Sequence, residues 1–108
     1  MPNGENKRRS ARYPLTTEVW WSVEDGDWEI CETGDLSEVG CFIMSSKQPS
    51  VEHALDVSLR LGGGEWLRVK AKVVYWLEIG FGVEFVGLGE NERKAIAACI
   101  KAASHASD

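Results

Sequence analysis

Residues 55–73, LDVSLRLGGGEWLRVKAKV, alternate apolar and polar side chains on both sides of three consecutive glycines. Leu55, Val57, Leu59 and Leu61 fall on one side, and Asp56, Ser58 and Arg60 on the other. A period of two is that of a half-buried β-strand. Gly62-Gly63-Gly64 then closes a hairpin, because glycine accepts the backbone angles that a tight turn demands. The alternation resumes with Leu67, Val69, Ala71, Val73, Tyr75 and Leu77 inward, against Trp66, Arg68, Lys70, Lys72, Val74 and Trp76 outward. The cationic outer residues also discourage strands of other molecules from pairing at an edge.

The same pattern extends in both directions. Glu78 to Gly80 turns the chain, and Phe81, Val83 and Phe85 line one side of a further strand. Upstream, Leu15 to Val23 reads as a strand with Thr17, Val19, Trp21 and Val23 on one face. Asp25-Gly26 is a turn signal, and Trp28 to Thr33 is the returning strand. Gly34 to Val39 reads as an acidic turn, Gly40 to Met44 as a short strand, and Ser45 to His53 as a loop. Alternation assigns Trp21 and Trp28 to the core, and Trp20, Trp66 and Trp76 to the outside. After Gly89 the period changes. Ile96, Cys99, Ile100 and Ala103 have the i, i+3, i+4, i+7 spacing of an amphipathic helix, with Glu90 and Glu92 at its start and Lys101 near its end. The expected fold is mostly β: a six-stranded antiparallel small β-barrel with a C-terminal helix over one open end.

The 108 residues suit a single domain. Its expected parts are an N-terminal arm over 1–12, a barrel over 13–87 and a helix over 90–103, with a frayed tail beyond. No apolar run is long enough to span a membrane, and no apolar signal segment opens the chain, so a cytoplasmic location is expected. Cys31, Cys41 and Cys99 are widely spaced with no C-x-x-C pair, which reads as reduced, buried thiols. The net charge is -5, yet Lys7, Arg8, Arg9 and Arg12 place four positive charges within six residues, leaving -9 for the remainder. An acidic body argues against a nucleic-acid binder, which needs a broad basic face. A small basic patch suits a small anion. His53 and His105 have no partners in the pattern, so neither a metal site nor an enzyme is expected.

Two short motifs carry the chemistry. Arg8 and Arg12 form R-x-x-x-R just ahead of the first strand, and Asp35, Ser37 and Gly40 form D-x-S-x-x-G between the second and third. A guanidinium offers a planar fork of donors for phosphate or for the O6/N7 edge of guanine. A carboxylate accepts from guanine's N1–H and amino group. A hydroxyl bridges base or phosphate, and glycine permits close backbone approach. A ligand with two guanines and two phosphates uses all of these groups. In their order and strand context the motifs resemble those of the PilZ domain family, small β-barrels of which many bind cyclic di-GMP. Gly80-Phe81-Gly82-Val83-Glu84-Phe85 resembles that family's G-x-G-V-x-F late strand. Val39 departs from the glycine that many members carry before the motif glycine.

The resemblance implies a non-catalytic cyclic di-GMP receptor without cofactor or metal. Arg8 and Arg12 would clasp phosphate and guanine, with Arg9 adding a contact. Asp35 and Ser37 would bond one guanine, Gly40 would shape the turn, and Trp76 would offer a stacking face. The ligand would order the arm, and a downstream protein partner would read the change. Motility, biofilm and virulence control are typical family outputs. The alternative is a PilZ-like interaction module that binds no nucleotide, such as a pilus or motility adaptor.

Overall fold

A computed structural model describes residues 12–23 and 26–106. Six strands follow in sequence: β1 (Glu18–Val23), β2 (Glu29–Leu36), β3 (Gly40–Met44), β4 (Ala54–Arg60), β5 (Trp66–Leu77) and β6 (Gly80–Val86). A single 3-10 turn, Gly62–Gly64, joins β4 to β5, and one α-helix, α1 (Glu90–Ala106), follows β6. All strand pairs are antiparallel, and the order β1-β2-β3-β6-β5-β4 closes on itself as a barrel. Closure satisfies the backbone polar groups that an open edge would expose.

The expected alternation builds the interior. Val19, Val57, Leu59, Ala71, Val73, Phe81 and Val83 are all buried in one cluster, and Trp21 sets its ring edge-on to Phe81 at 5.2 Å. Helix α1 follows directly from the Val86 end of β6. Its Ile96 is fully buried in the barrel core, and Leu88, Ala95, Cys99 and Ile100 pack, half-buried, against that core. Each fully buried aliphatic side chain contributes about 1.5–3 kcal/mol. Glycine hydrogen atoms allow β3 and β6 to approach. A Cβ on Gly40 would collide with the backbone oxygen of Val83, and one on Gly80 with that of Ile43.

Several boundaries differ from the sequence reading. Residues 34–36 continue β2 rather than opening a turn, because the strand carries a bulge between Thr33 and Asp35. Regular β1 begins at Glu18, because ahead of it the Thr33 side chain takes part of the pairing: the Thr33 amide donates to the Thr17 carbonyl at 2.9 Å, while the Thr33 hydroxyl donates to the Leu15 carbonyl at 2.6 Å and accepts from the Thr17 amide at 3.0 Å. Trp28 is not core but about one-third exposed, lying ahead of β2 with the Arg68 guanidinium 5.1 Å from its ring. A second bulge, between Val73 and Tyr75, ends the inward series of β5, so Tyr75 and Leu77 are exposed. Helix α1 runs three residues past Ala103, its last turns rich in alanine, the best helix former.

Two outcomes test this packing. Gly40→Ala should destabilise the barrel by about 3 kcal/mol or more, the upper range for overpacking, as measured by chemical denaturation. Burial, reinforced by the nearby Asp35 carboxylate and partly offset by Arg12, pushes the Cys41 thiol up to about 12. Above the unfolded thiol's ordinary range the unfolded chain loses a proton that the folded chain retains. Stability should therefore fall from about pH 9 upward by as much as about 1.4 kcal/mol per unit. Cys41→Ala should flatten that part of the pH–stability profile.

Candidate functional site

The D-x-S-x-x-G segment folds as the end of β2, a tight turn and the start of β3. Ser37 is fully buried at its centre. Its hydroxyl accepts from the amides of Val39 (3.2 Å) and Gly40 (3.1 Å) and lies 3.2 Å from the Gly40 carbonyl, to which it donates. The Ser37 amide also donates to the Gly40 carbonyl at 2.9 Å. All of the side chain's bonds in this structure are thus spent on the turn. Gly40 is required by the close approach of β6 described above, and its φ lies outside the left-handed region.

Asp35 points outward because of the bulge. Thr33 pairs with Ile43 and is buried, so simple alternation would turn Asp35 inward as well. Skipping Gly34 in the pairing sets Asp35 opposite Phe42 on the outer surface and returns Leu36 to the core opposite Cys41. Tyr13 bridges to Leu36 through reciprocal 2.9 Å backbone bonds. That bridge anchors the chain beside β2 and holds Arg12 where its Nη1 donates to Asp35 Oδ1 at 2.7 Å. Both side chains remain partly exposed, at 37% and 28%, so their attraction is weak, about 0–1 kcal/mol.

From Asp35 a single register row crosses the barrel: Asp35 on β2, Phe42 on β3, Gly82 on β6 and Tyr75 on β5. Phe42 faces away from the core, yet it is only 6% exposed. Its ring stacks against that of Tyr75, with centroids 6.2 Å apart and planes 24° from parallel. Glycines on both neighbouring strands make the room. A Cβ on Gly34 would press the Phe42 ring at 3.2 Å, and one on Gly82 would collide with the Tyr75 ring. At the usual strand spacing the row spans about 14 Å. It carries a guanidinium–carboxylate pair at one end and a partly exposed phenol ring at the other.

The structure therefore brings Arg12 and Asp35 together above the turn held by Ser37 and Gly40. Arg8 and Arg9 lie outside the described residues. Trp76 occupies the barrel end instead of the row, its Nε1 donating to the Pro49 carbonyl at 2.7 Å. Phe42 and Tyr75 escaped the sequence reading. The available signal was the pair of glycines, Gly34 and Gly82, that flank them across the sheet. A separate cleft of about 390 Å³ lies between Glu38 of the turn and Arg93, Lys94 and Ala97 of α1. No group of metal-ligating side chains occurs among the described residues, and no described helix is long and apolar enough to cross a membrane.

The PilZ domain family model matches residues 6–102. Solved structures share the fold. The PilZ domain of YcgR from Escherichia coli with c-di-GMP superposes with a TM-score of 0.79 at 10% identity, covering 94% of each chain. The PilZ domain of CeSA from a cellulose-synthesizing bacterium gives 0.72 at 20% identity, covering 89% of this chain and all of that one. The Bacillus subtilis inhibitor of motility MotI/DgrA gives 0.76 at 15% identity, over 92% of this chain. This chain spans about half of MotI/DgrA, 52% of its length. Comparison with curated proteins gave no match.

The hydrogen bonding of the turn separates the motif residues by energy. Ser37→Ala strands buried turn amides and should cost about 1–3 kcal/mol in a denaturant titration. Arg12→Ala removes only a surface ion pair and should cost less than about 1 kcal/mol in the same measurement.

Proposed function

Because this chain belongs to the PilZ domain family, we propose that it is a non-catalytic receptor for cyclic di-GMP, bound on the Asp35–Tyr75 row and clasped by the arginines of the arm. The observation that carries this reading is the Arg12–Asp35 pair, held at the head of an outward aromatic row. Each partner has a complementary group on the ligand. Phosphate or the O6/N7 edge of guanine takes the Arg12 fork, and N1–H with the exocyclic amine takes the Asp35 carboxylate. In exchange for one ion pair worth about 0–1 kcal/mol, the site gains charge-assisted bonds of about 1.5–3 kcal/mol each. The aromatic end supplies the remaining chemistry. Tyr75, partly exposed and backed by Phe42, presents a face on which a purine can stack, worth about 1–3 kcal/mol per base.

In this mechanism Ser37 and Gly40 act through the turn. They fix the backbone that carries Asp35, and the hydroxyl takes a ligand bond only by giving up one within the turn. Arg8 and Arg9, continuous with Arg12, supply the further cations that two phosphates require. An open face with one weak ion pair holds a dianion poorly, so the arm closing over the ligand is the step that creates affinity. A downstream protein then distinguishes the closed arm from the open one. Trp76 is the second stacking candidate, reached if the ligand extends past Tyr75 toward the barrel end. The YcgR neighbour is described with c-di-GMP, as is Klebsiella pneumoniae MrkH, which supports the assignment of ligand class.

Isothermal titration with cyclic di-GMP, with GTP as control, tests the proposal. Micromolar or tighter binding of the cyclic dinucleotide alone is expected. Arg8→Ala and Arg12→Ala should each weaken it at least about tenfold, a loss of about 1.4 kcal/mol or more, with the unfolding midpoint nearly unchanged. Tyr75→Ala should weaken binding more than Trp76→Ala. A folded protein that gives no heat with cyclic di-GMP is instead an interaction module that binds no nucleotide.

A further inference from the structure

The outer surface across the barrel from the Asp35–Tyr75 row is built differently. In the closed order, β1 and β4 lie opposite β3 and β6. Their shared register row runs Ile30 (β2), Trp20 (β1), Ser58 (β4), Arg68 (β5). Trp20 and Trp66 pack edge to face at 5.8 Å, Arg60 lies 5.9 Å from the Trp66 ring, and Arg68 lies 5.1 Å from that of Trp28. Ile30 is 63% exposed and Trp66 45%. Such a contiguous aromatic patch on a small barrel marks an association surface, and tryptophan and arginine are the residues that dominate such surfaces energetically. The closed barrel offers no free strand edge, so association must use side-chain faces.

The charges on this face identify the occupant. Arg60 is paired with Glu18 at 3.4 Å, and Lys70 with Asp56 at 2.6 Å. Arg68 has no carboxylate partner among the described residues. On the far side of the same face, Glu32 stands directly opposite Glu18 in the ladder, a destabilising like-charge position, and has no cation partner among the described residues. Among the described residues the face thus carries one cation without an ion pair on β5, Arg68, and one anion without an ion pair on β2, Glu32, on either side of the β1/β4 seam. A two-fold axis along that seam lays β5 of one molecule over β2 of another. It brings Arg68 to the neighbourhood of Ile30 and Glu32 of the second copy, and sets the large Trp20 against the small Ser58. An oligonucleotide fits worse, because Glu18, Glu32 and Asp56 line the same surface.

We infer that this face is the interface of a symmetric dimer, with a second copy of the chain as its occupant. The two nucleotide faces then point away from each other, and dimerisation is independent of cyclic di-GMP.

Sedimentation velocity on the full chain, from micromolar to near-millimolar concentration, tests the inference. The wild-type protein should show a concentration-dependent monomer–dimer equilibrium that cyclic di-GMP leaves unshifted. Arg68→Glu and Glu32→Arg should each weaken the dimer by at least about tenfold, since like charges then face one another. The Arg68→Glu/Glu32→Arg double variant should restore it. Far-UV circular dichroism and the unfolding midpoint keep these variants interpretable, because both side chains are exposed. A wild-type protein that is monomeric throughout, single reversals that leave the dimer intact, or a double variant that fails to recover would each overturn the inference. The first outcome would leave the face to a different protein.

Discussion

Closure of the sheet is the constraint on which everything else depends. A closed ring of six strands leaves each side chain only two directions, into a filled interior or out to the surface. Parity along the strand then decides the direction unless the ladder slips. Two slips occur, at Thr33/Asp35 and at Val73/Tyr75, and they sit at the two ends of one register row. Each turns outward a residue that parity would send into the core, where a carboxylate would lose its hydration and a phenol its room. Bulges are commonly found where a side chain must be re-aimed for function. Here a pair of them defines a surface.

Within the D-x-S-x-x-G motif the roles divide by burial. Ser37 and Gly40 belong to the architecture, one through bonds inside the turn and the other through the closeness of β6. Asp35 belongs to the surface, and so does Arg12, which the Tyr13–Leu36 bridge keeps at its side. Their mutual attraction is small because water competes for both. The fold therefore holds the polar groups of the row in place while depending little on them. The opposite face shows another economy. Its arginines lie over tryptophan rings, where a guanidinium stays hydrated while shielding apolar surface.

Much of this was legible in the sequence, and the gaps have physical causes. Alternation at Leu55–Leu61 and Leu67–Val73, the glycine hairpin and the change of period after Gly89 suffice to specify strands followed by a helix. A bulge leaves almost no local mark. Gly34 reads as the opening of a turn and Val74 as an ordinary strand residue, and only the pairing with β3 and β6 reveals that they are skipped within strands. That is why β2 was expected to end early and Tyr75 to point inward. Trp28 misled for a different reason. It precedes the first paired residue of β2, so strand parity has no authority over it, and its ring is covered by an arginine from β5. The D-x-S-x-x-G pattern stands in the sequence, while the internal use of the Ser37 hydroxyl does not, because a turn's hydrogen bonds depend on backbone angles that the sequence does not print.

The two slips also bear on how such domains diverge. What must survive in β2 is the count of residues between the inward Thr33 and the outward Asp35, and in β5 the count between Val73 and Tyr75. Neither count requires a particular side chain at the skipped position, beyond one small enough to lie beside Phe42 in the first case. Substitutions can therefore accumulate through nearly the whole barrel, as the 10–20% identities to structures of the same fold illustrate. A single-residue insertion or deletion inside either strand would exchange its inner and outer faces from that point onward. In this barrel, the spacing along β2 and β5 decides which side chains reach the row.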